Sequence, residues 1–314
     1  MPDPSVPAAP PNPAKVASAG GLPTPPKPKR RLLRRLFLAF VVVGALFALW
    51  LVAVWPPPIW YRWFWPRQTA FMAMRAGQSD SLAHHVQRRR EATDGELPRK
   101  YLPVELSRIA PGMPQAVLIA EDHRFFEHGG IDFQAIREAL GYRRADFDWD
   151  DERDRAELRR VLGKAWSRRE RIRGASTLTQ QLAKNLYLSP SRNPLRKVKE
   201  AVTAYRIEMA MDKRRILELY LNVVEFGPEI WGVEAASQTY FGRSASRLTA
   251  EQAAALAGTL PFPLRSNPGF RPGRMRWRQQ LVLRRMRGEA IQIPTDAEAI
   301  DAKEPPADST PDTR

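Results

Sequence analysis

Residues 36–55 read LFLAFVVVGALFALWLVAVW, twenty in a row without a charged or strongly polar side chain. At about 1.5 Å per residue such a helix is roughly 30 Å long, the thickness of a bilayer's hydrocarbon core. A cleaved signal peptide has a shorter apolar run and a small-residue cleavage site, whereas Trp55-Pro56-Pro57-Pro58 follows here. The run therefore predicts one retained transmembrane helix. Lys27, Lys29, Arg30, Arg31, Arg34 and Arg35 precede it, and Trp55, Trp60, Tyr61, Trp63, Phe64 and Trp65 crowd its far end like an interfacial aromatic belt. The positive-inside rule puts the N-terminus in the cytoplasm and residues from 56 onward on the other side.

Working outward, residues 1–28 hold ten Pro, so 1–35 reads as a disordered basic cytoplasmic tail. Residues 56–95 read as a polar, helical juxtamembrane connector, so removal of residues 1–66 is expected to leave a folded domain. The body, 96–287, is dominated by helix spacing, as in Ile216-Leu217-Leu219-Tyr220-Leu221 and Leu248, Ala253, Leu256, Ala257, Leu260. The fold class is mainly α, with no long alternating strand pattern. Residues 288–314 form an acidic tail, expected to be disordered. Residues 143–173 hold nineteen charged side chains in thirty-one, eleven basic and eight acidic, a density that reads as a solvated helix or mobile loop.

Of 314 residues none is Cys and four are His, which excludes disulfides, Cys-based zinc sites, iron–sulfur clusters and thiol nucleophiles. The formal charge is +16, and fifteen of those charges lie between residues 36 and 288. Such an excess calls for a polyanionic partner: nucleic acid, an anionic membrane surface or a phosphate-bearing substrate.

Two constellations carry chemistry. In Glu121-Asp-His-Arg-Phe-Phe-Glu-His-Gly-Gly-Ile-Asp132 a carboxylate closes an apolar helical stretch, a place where desolvation can tune a general base. Alone, Glu121 and Asp122 would read as surface charges at a helix terminus. In Gly174-Ala-Ser-Thr-Leu-Thr-Gln-Gln-Leu-Ala-Lys-Asn185, Thr177 and Gln180 fit a capping box, and Thr177, Gln181 and Lys184 fall on one helix face. With Arg192, Arg196 and Lys197 following, this region suits phosphate oxygens. There is no Gly-rich nucleotide loop.

These two stretches, then RKVKE (Arg196–Glu200), KRRILELYLN (Lys213–Asn222), FGPEIWGVEAASQTYFG (Phe226–Gly242) and LTAEQAAALAGTLPFP (Leu248–Pro263), resemble in order the motifs of the peptidoglycan glycosyltransferases, glycosyltransferase family 51. The likeness covers about 103–286. No Ser is followed three residues later by Lys, as a transpeptidase domain would require, so the likeness is to the monofunctional branch.

The resemblance implies a lysozyme-like α-helical glycosyltransferase domain behind the anchor, polymerising lipid II with inversion and release of undecaprenyl pyrophosphate. It assigns Glu121 as general base on the acceptor hydroxyl and Glu200 as the second catalytic acid, supporting the leaving group or a divalent ion. It places Ser176, Gln180, Lys184 and Arg192 near the donor pyrophosphate, and Asp122, Thr177, Gln181, Arg196 and Lys197 join them as substrate-binding residues. No cofactor is required by this chemistry, though Mg or Mn could sit at the pyrophosphate, with ligands unknown. Lys213, Glu218, Tyr220 and Asn222 are expected to brace the site's helices. The expected partners are lipid II, the growing glycan chain, the membrane and cell-division or elongation proteins, with no nucleic acid. The expected location is the inner membrane, single-pass, with a periplasmic catalytic domain. A peptidoglycan-cleaving lytic enzyme using one Glu as general acid and a noncatalytic lipid-binding scaffold are the competing readings. The first has no need of a pyrophosphate site, and the second leaves the motifs unexplained.

Overall fold

The computed structural model describes residues 30–78, 100–140, 148, 150–167, 176–188 and 194–291. Both tails apart from a few residues, Arg192 and much of the charged stretch 143–173 lie outside them. The chain divides into two units at Ala48/Leu49. Helix α1 (Arg30–Val52) carries the apolar span Arg34–Val52, whose mean hydropathy is 2.4 and whose side chains are exposed. Among the described residues it is the one helix long and apolar enough to cross a membrane, consistent with a single-pass anchor. It ends at Val52 rather than Trp55, because residues leading into three successive prolines are held out of the α region.

The stretch after the span is not a polar spacer. A 3-10 turn (Pro58–Arg62) and helix α2 (Ala70–Gln78) contribute Tyr61 and Met72, 4% and 1% exposed, to the main core. Arg215 binds the turn from below, its Nε donating to the Tyr61 carbonyl at 2.9 Å. A deletion through residue 66 would strip a core aromatic side chain, so part of the connector expected over 56–95 packs into the core.

The remainder is mainly helical, as its periodicity predicts. In order come α3 (Gly112–Glu121), α4 (Phe133–Leu140), α5 (Glu152–Ser167), α6 (Leu178–Tyr187), α7 (Pro194–Ala210), α8 (Lys213–Val223), α9 (Val233–Phe241), α10 (Ala250–Thr259) and α11 (Gly273–Met286). Three starts are written locally: Thr177 and Thr249 form capping boxes with Gln180 and Gln252, and the Asp212 carboxylate accepts from the Arg215 amide. Helix α5 is the solvated charged helix expected within 143–173, with Glu152 paired to Arg155 and Arg159 on its exposed face.

Two helix groups build the core. Helix α10 packs on α3 and α11, and α6 packs on α2, α7 and α8. The Ile216–Leu221 and Ala253–Ala257 runs are buried throughout their apolar positions. A small sheet, β1 (Lys100–Tyr101), β3 (Ile230–Trp231) and β2 (Glu225–Gly227) in that order, packs alongside α9, its pairs parallel and antiparallel respectively. Its strands are too short for an alternating pattern to show in sequence. Gly232 leaves β3 at φ +83°, where a Cβ would collide with the Asn222 carbonyl, so only glycine fits. Asn222 in turn exchanges hydrogen bonds with Val104 at 2.8 and 2.9 Å, and Glu218 accepts from the Leu106 amide at 2.6 Å, so both brace the site's helices as expected.

Candidate active site

Glu121 closes α3, where the two helix groups meet. Its side chain is 3% exposed, yet it is ion-paired: Arg278 of α11, itself 1% exposed, donates through Nη2 to Oε1 at 2.9 Å and to the Ala120 carbonyl at 2.9 Å. From α6, Gln181 donates through Nε2 to Oε2 at 3.2 Å, and its own carbonyl oxygen accepts from the Tyr220 hydroxyl of α8 at 3.0 Å. Helices α3, α6, α8 and α11 thus converge on one carboxylate. Arg278 was not foreseen, although a signal existed: it falls between Met275 and Val282 on the buried stripe of α11, where a solvated Arg has no place.

A second cluster joins the entrance of α6 to α7. Lys197 Nζ donates to Ser176 Oγ at 3.1 Å and pairs with Glu200, whose other oxygen is held by Arg196 at 2.9 Å. Glu200 is 3% exposed, whereas the Lys197 side chain is half-exposed. Two cations around one carboxylate leave a net positive site beside a hydroxyl, suited to an anion.

Other site residues from the sequence serve the frame. The Asp122 carboxylate is buried, held by His128 at 3.0 Å and by the Leu178 amide at 2.9 Å. The Thr177 hydroxyl donates to the Gly130 carbonyl at 2.6 Å and accepts from the Gln180 amide, and the Gln180 side chain closes the capping box. Together they clamp the Glu121–Asp132 turn onto the N-terminus of α6. Thr179 and Lys213 share Glu208 at 2.6 and 2.8 Å, and Lys213 caps the Phe125 ring at 4.3 Å, fastening the same turn to α7 and α8. Ligand-type atoms of Asp122, His128 and Asp132 lie within 4.8 Å of one another. Lys184, on the face of α6 shared with Gln181, is half-buried and acts electrostatically on Glu225 of β2.

Glu225 titrates unusually. Burial pushes its carboxyl up to about 7, against the opposing pull of Arg75 from α2 (3.1 Å) and of Lys184. A carboxyl raised on folding binds its proton more readily in the folded state, so the contribution of this group to stability is full below pH ~4.5 and is lost as pH rises through 7, on the order of 3 kcal/mol in all. The melting temperature should therefore fall between pH 5 and 8, and Glu225→Gln should flatten that slope. An unchanged slope in the variant would assign the pH dependence to other groups.

The sequence profile of the family described as Transglycosylase matches residues 90–287. A protein named biosynthetic peptidoglycan transglycosylase from Bordetella pertussis is 38% identical over 264 residues, 84% of this chain and 95% of the relative. One of the same name from Azoarcus sp. is 38% identical over 258 residues, 79% and 97% of the two chains. Another from Bdellovibrio bacteriovorus is 42% identical over 198 residues, 63% and 70%.

Proposed function

The chain belongs to the transglycosylase family, a peptidoglycan glycosyltransferase of cell wall biosynthesis, and on that premise we propose that it polymerises lipid II into β-1,4-linked glycan strands with release of undecaprenyl pyrophosphate. The observation that carries this reading is the Glu121–Arg278 pair. A lytic enzyme's general acid must start protonated, and a buried guanidinium 2.9 Å away opposes that. A general base must start ionised, and the same guanidinium supplies the counter-charge a dry carboxylate needs.

Glu121 takes the proton of the acceptor sugar's 4-hydroxyl as that oxygen attacks the donor's anomeric carbon. The bond to the pyrophosphate oxygen breaks with its electron pair leaving on phosphate, and the α linkage inverts to β in one displacement. Gln181, tied to Tyr220, fixes the second Glu121 oxygen and thereby the direction of proton transfer. Lys184, Arg196 and Lys197, with the Ser176 hydroxyl, meet the charge arriving on the departing pyrophosphate, and Glu200 holds two of those cations in place.

A resident Mg or Mn ion finds a poor fit. Both Asp132 oxygens accept from Arg124, at 3.0 and 3.2 Å, the Asp122 oxygens are committed to His128 and Leu178, and Glu200 faces two cations. No step here passes through a metal. The anchor's basic flank and aromatic exit support a single-pass inner-membrane protein with its catalytic domain in the periplasm.

The full-length protein in detergent with labelled lipid II should yield polymer separable from monomer. Release of soluble fragments from preformed peptidoglycan, without polymer, would favour the lytic reading. Lys184→Ala should lower polymerisation roughly 10–100-fold, the scale of one charge-assisted hydrogen bond, with an unchanged circular dichroism spectrum. Unaltered kinetics would move the pyrophosphate away from α6.

A further inference from the structure

Glu225 is the one acid of β2, a strand buried along its whole length, and it is itself 5% exposed. Arg75 reaches it from α2, donating through Nη2 to Oε2 at 3.1 Å. The same guanidinium lies over the Phe71 ring at 5.1 Å, and that ring meets Trp231 of β3 edge-on. Helix α2 packs in turn on α6, the helix that carries Gln181 and Lys184. Strand, α2 and α6 therefore meet around this carboxylate, and one of them holds a cation of the donor site.

A second buried carboxylate shows what sets Glu225 apart. Burial alone would raise Asp132, but the Ala135 amide and two hydrogen bonds from Arg124 hold its carboxyl below the ordinary range. Glu225 accepts one hydrogen bond from its arginine, and burial outweighs it. The charged groups that act on Glu225 are Arg75 from α2, Lys184 from α6 and, with the same sign as itself, Glu229 from the turn between β2 and β3. Those of β1 and α9 are engaged elsewhere: Lys100 gives its ammonium to Thr239, and Glu234 accepts from Gln238 and the Ala245 amide. The Glu225 charge is thus balanced near neutral pH, and a further anion brought close favours its neutral form.

We propose that Glu225 is a positioning residue of the donor site: when ionised it competes with the lipid-linked pyrophosphate for the Lys184 ammonium, and as the donor binds it takes a proton from solvent and yields that cation to the phosphates. This rests on the assignment of Lys184 to the pyrophosphate. A Glu225 carboxylate oxygen gains the proton and no other bond changes. Donor affinity therefore falls as pH rises through the range in which the empty enzyme loses that proton.

Lipid II is a pyrophosphate diester with no group on its phosphates that titrates near neutrality, and a 4-deoxy lipid II lacks the acceptor hydroxyl and cannot polymerise. Labelled with a dye on its peptide, this probe reports binding to the full-length protein in detergent by fluorescence anisotropy. Between pH 6 and 8 its dissociation constant should rise roughly fivefold, well inside the tenfold per pH unit that one linked proton permits. Glu225→Gln should bind with the low-pH affinity at both values, and Lys184→Ala should bind weakly and equally at both. A wild-type affinity that ignores pH, or a Glu225→Gln variant that keeps the slope, would overturn the proposal. A wild-type slope in Lys184→Ala would also overturn it, by showing that Glu225 acts on the anion directly. A merely structural Glu225 would change the melting temperature of its variant without flattening the binding profile. Binding that depends on pH through Glu225, in a protein that forms no polymer from ordinary lipid II, would leave the positioning role standing and defeat the proposed reaction.

Discussion

Glu121→Gln should lower lipid II polymerisation by at least about 10²-fold, the usual scale of general base catalysis, while leaving the protein folded. Glutamine keeps the shape: its one carbonyl oxygen still accepts from Arg278, and its amide nitrogen can donate to Gln181 once that side chain turns its own amide over, so the convergence of α3, α6, α8 and α11 survives. It cannot take the acceptor's proton. The change also takes the Glu121 charge from the buried Arg278, which predicts a loss of stability alongside the loss of turnover. Single-turnover assays with detergent-solubilised lipid II, run beside thermal melts, separate the two effects. Near-normal polymerisation by the glutamine variant would remove Glu121 from the reaction.

Arg278→Met is expected to do comparable damage from the other side. The side chain touches Glu121 and the Ala120 carbonyl, and its removal takes from a carboxylate with 3% exposure the guanidinium that pairs with it. Breaking a buried pair at one end destabilises by about 3–5 kcal/mol, which the protein can reduce only by protonating Glu121. Either response removes the base. The rising limb of the pH–rate profile should therefore move to higher pH in the variant, a change that loosened packing alone does not produce. The double variant Glu121→Gln, Arg278→Met should recover much of the lost stability, because no unpaired charge remains, without recovering activity. A double variant no more stable than Arg278→Met would show that the guanidinium serves packing rather than charge.

The features legible in the sequence are those whose determinants are local. The span is a matter of composition over twenty residues, and the start of α6 is written in Thr177 and Gln180, three positions apart. The apolar spacing of α8 and α10 identifies their buried faces. What stayed hidden depends on distant partners. Asp122 has the composition of a substrate-binding residue, but its carboxylate is taken by His128 and by the amide of Leu178, fifty-six positions on. The polar stretch after the span enters the core only because Arg215 and the α6 region receive Tyr61 and Met72. In the sequence Arg278 is one base among several in a basic helix, and nothing nearby names its partner.

The separation between Arg278 and Glu121 is 157 positions. Chains are made and exported from the N-terminus, and domains settle in that order. The carboxylate is made early, together with α3, whereas Arg278 arrives on the last helix described. Until α11 docks against α3 and α10, Glu121 lacks its ion pair with Arg278. On the proposed reading, a nascent chain halted before residue 278 carries Glu121 without the Arg278 that pairs with it, so assembly of the site waits on the docking of the last helix.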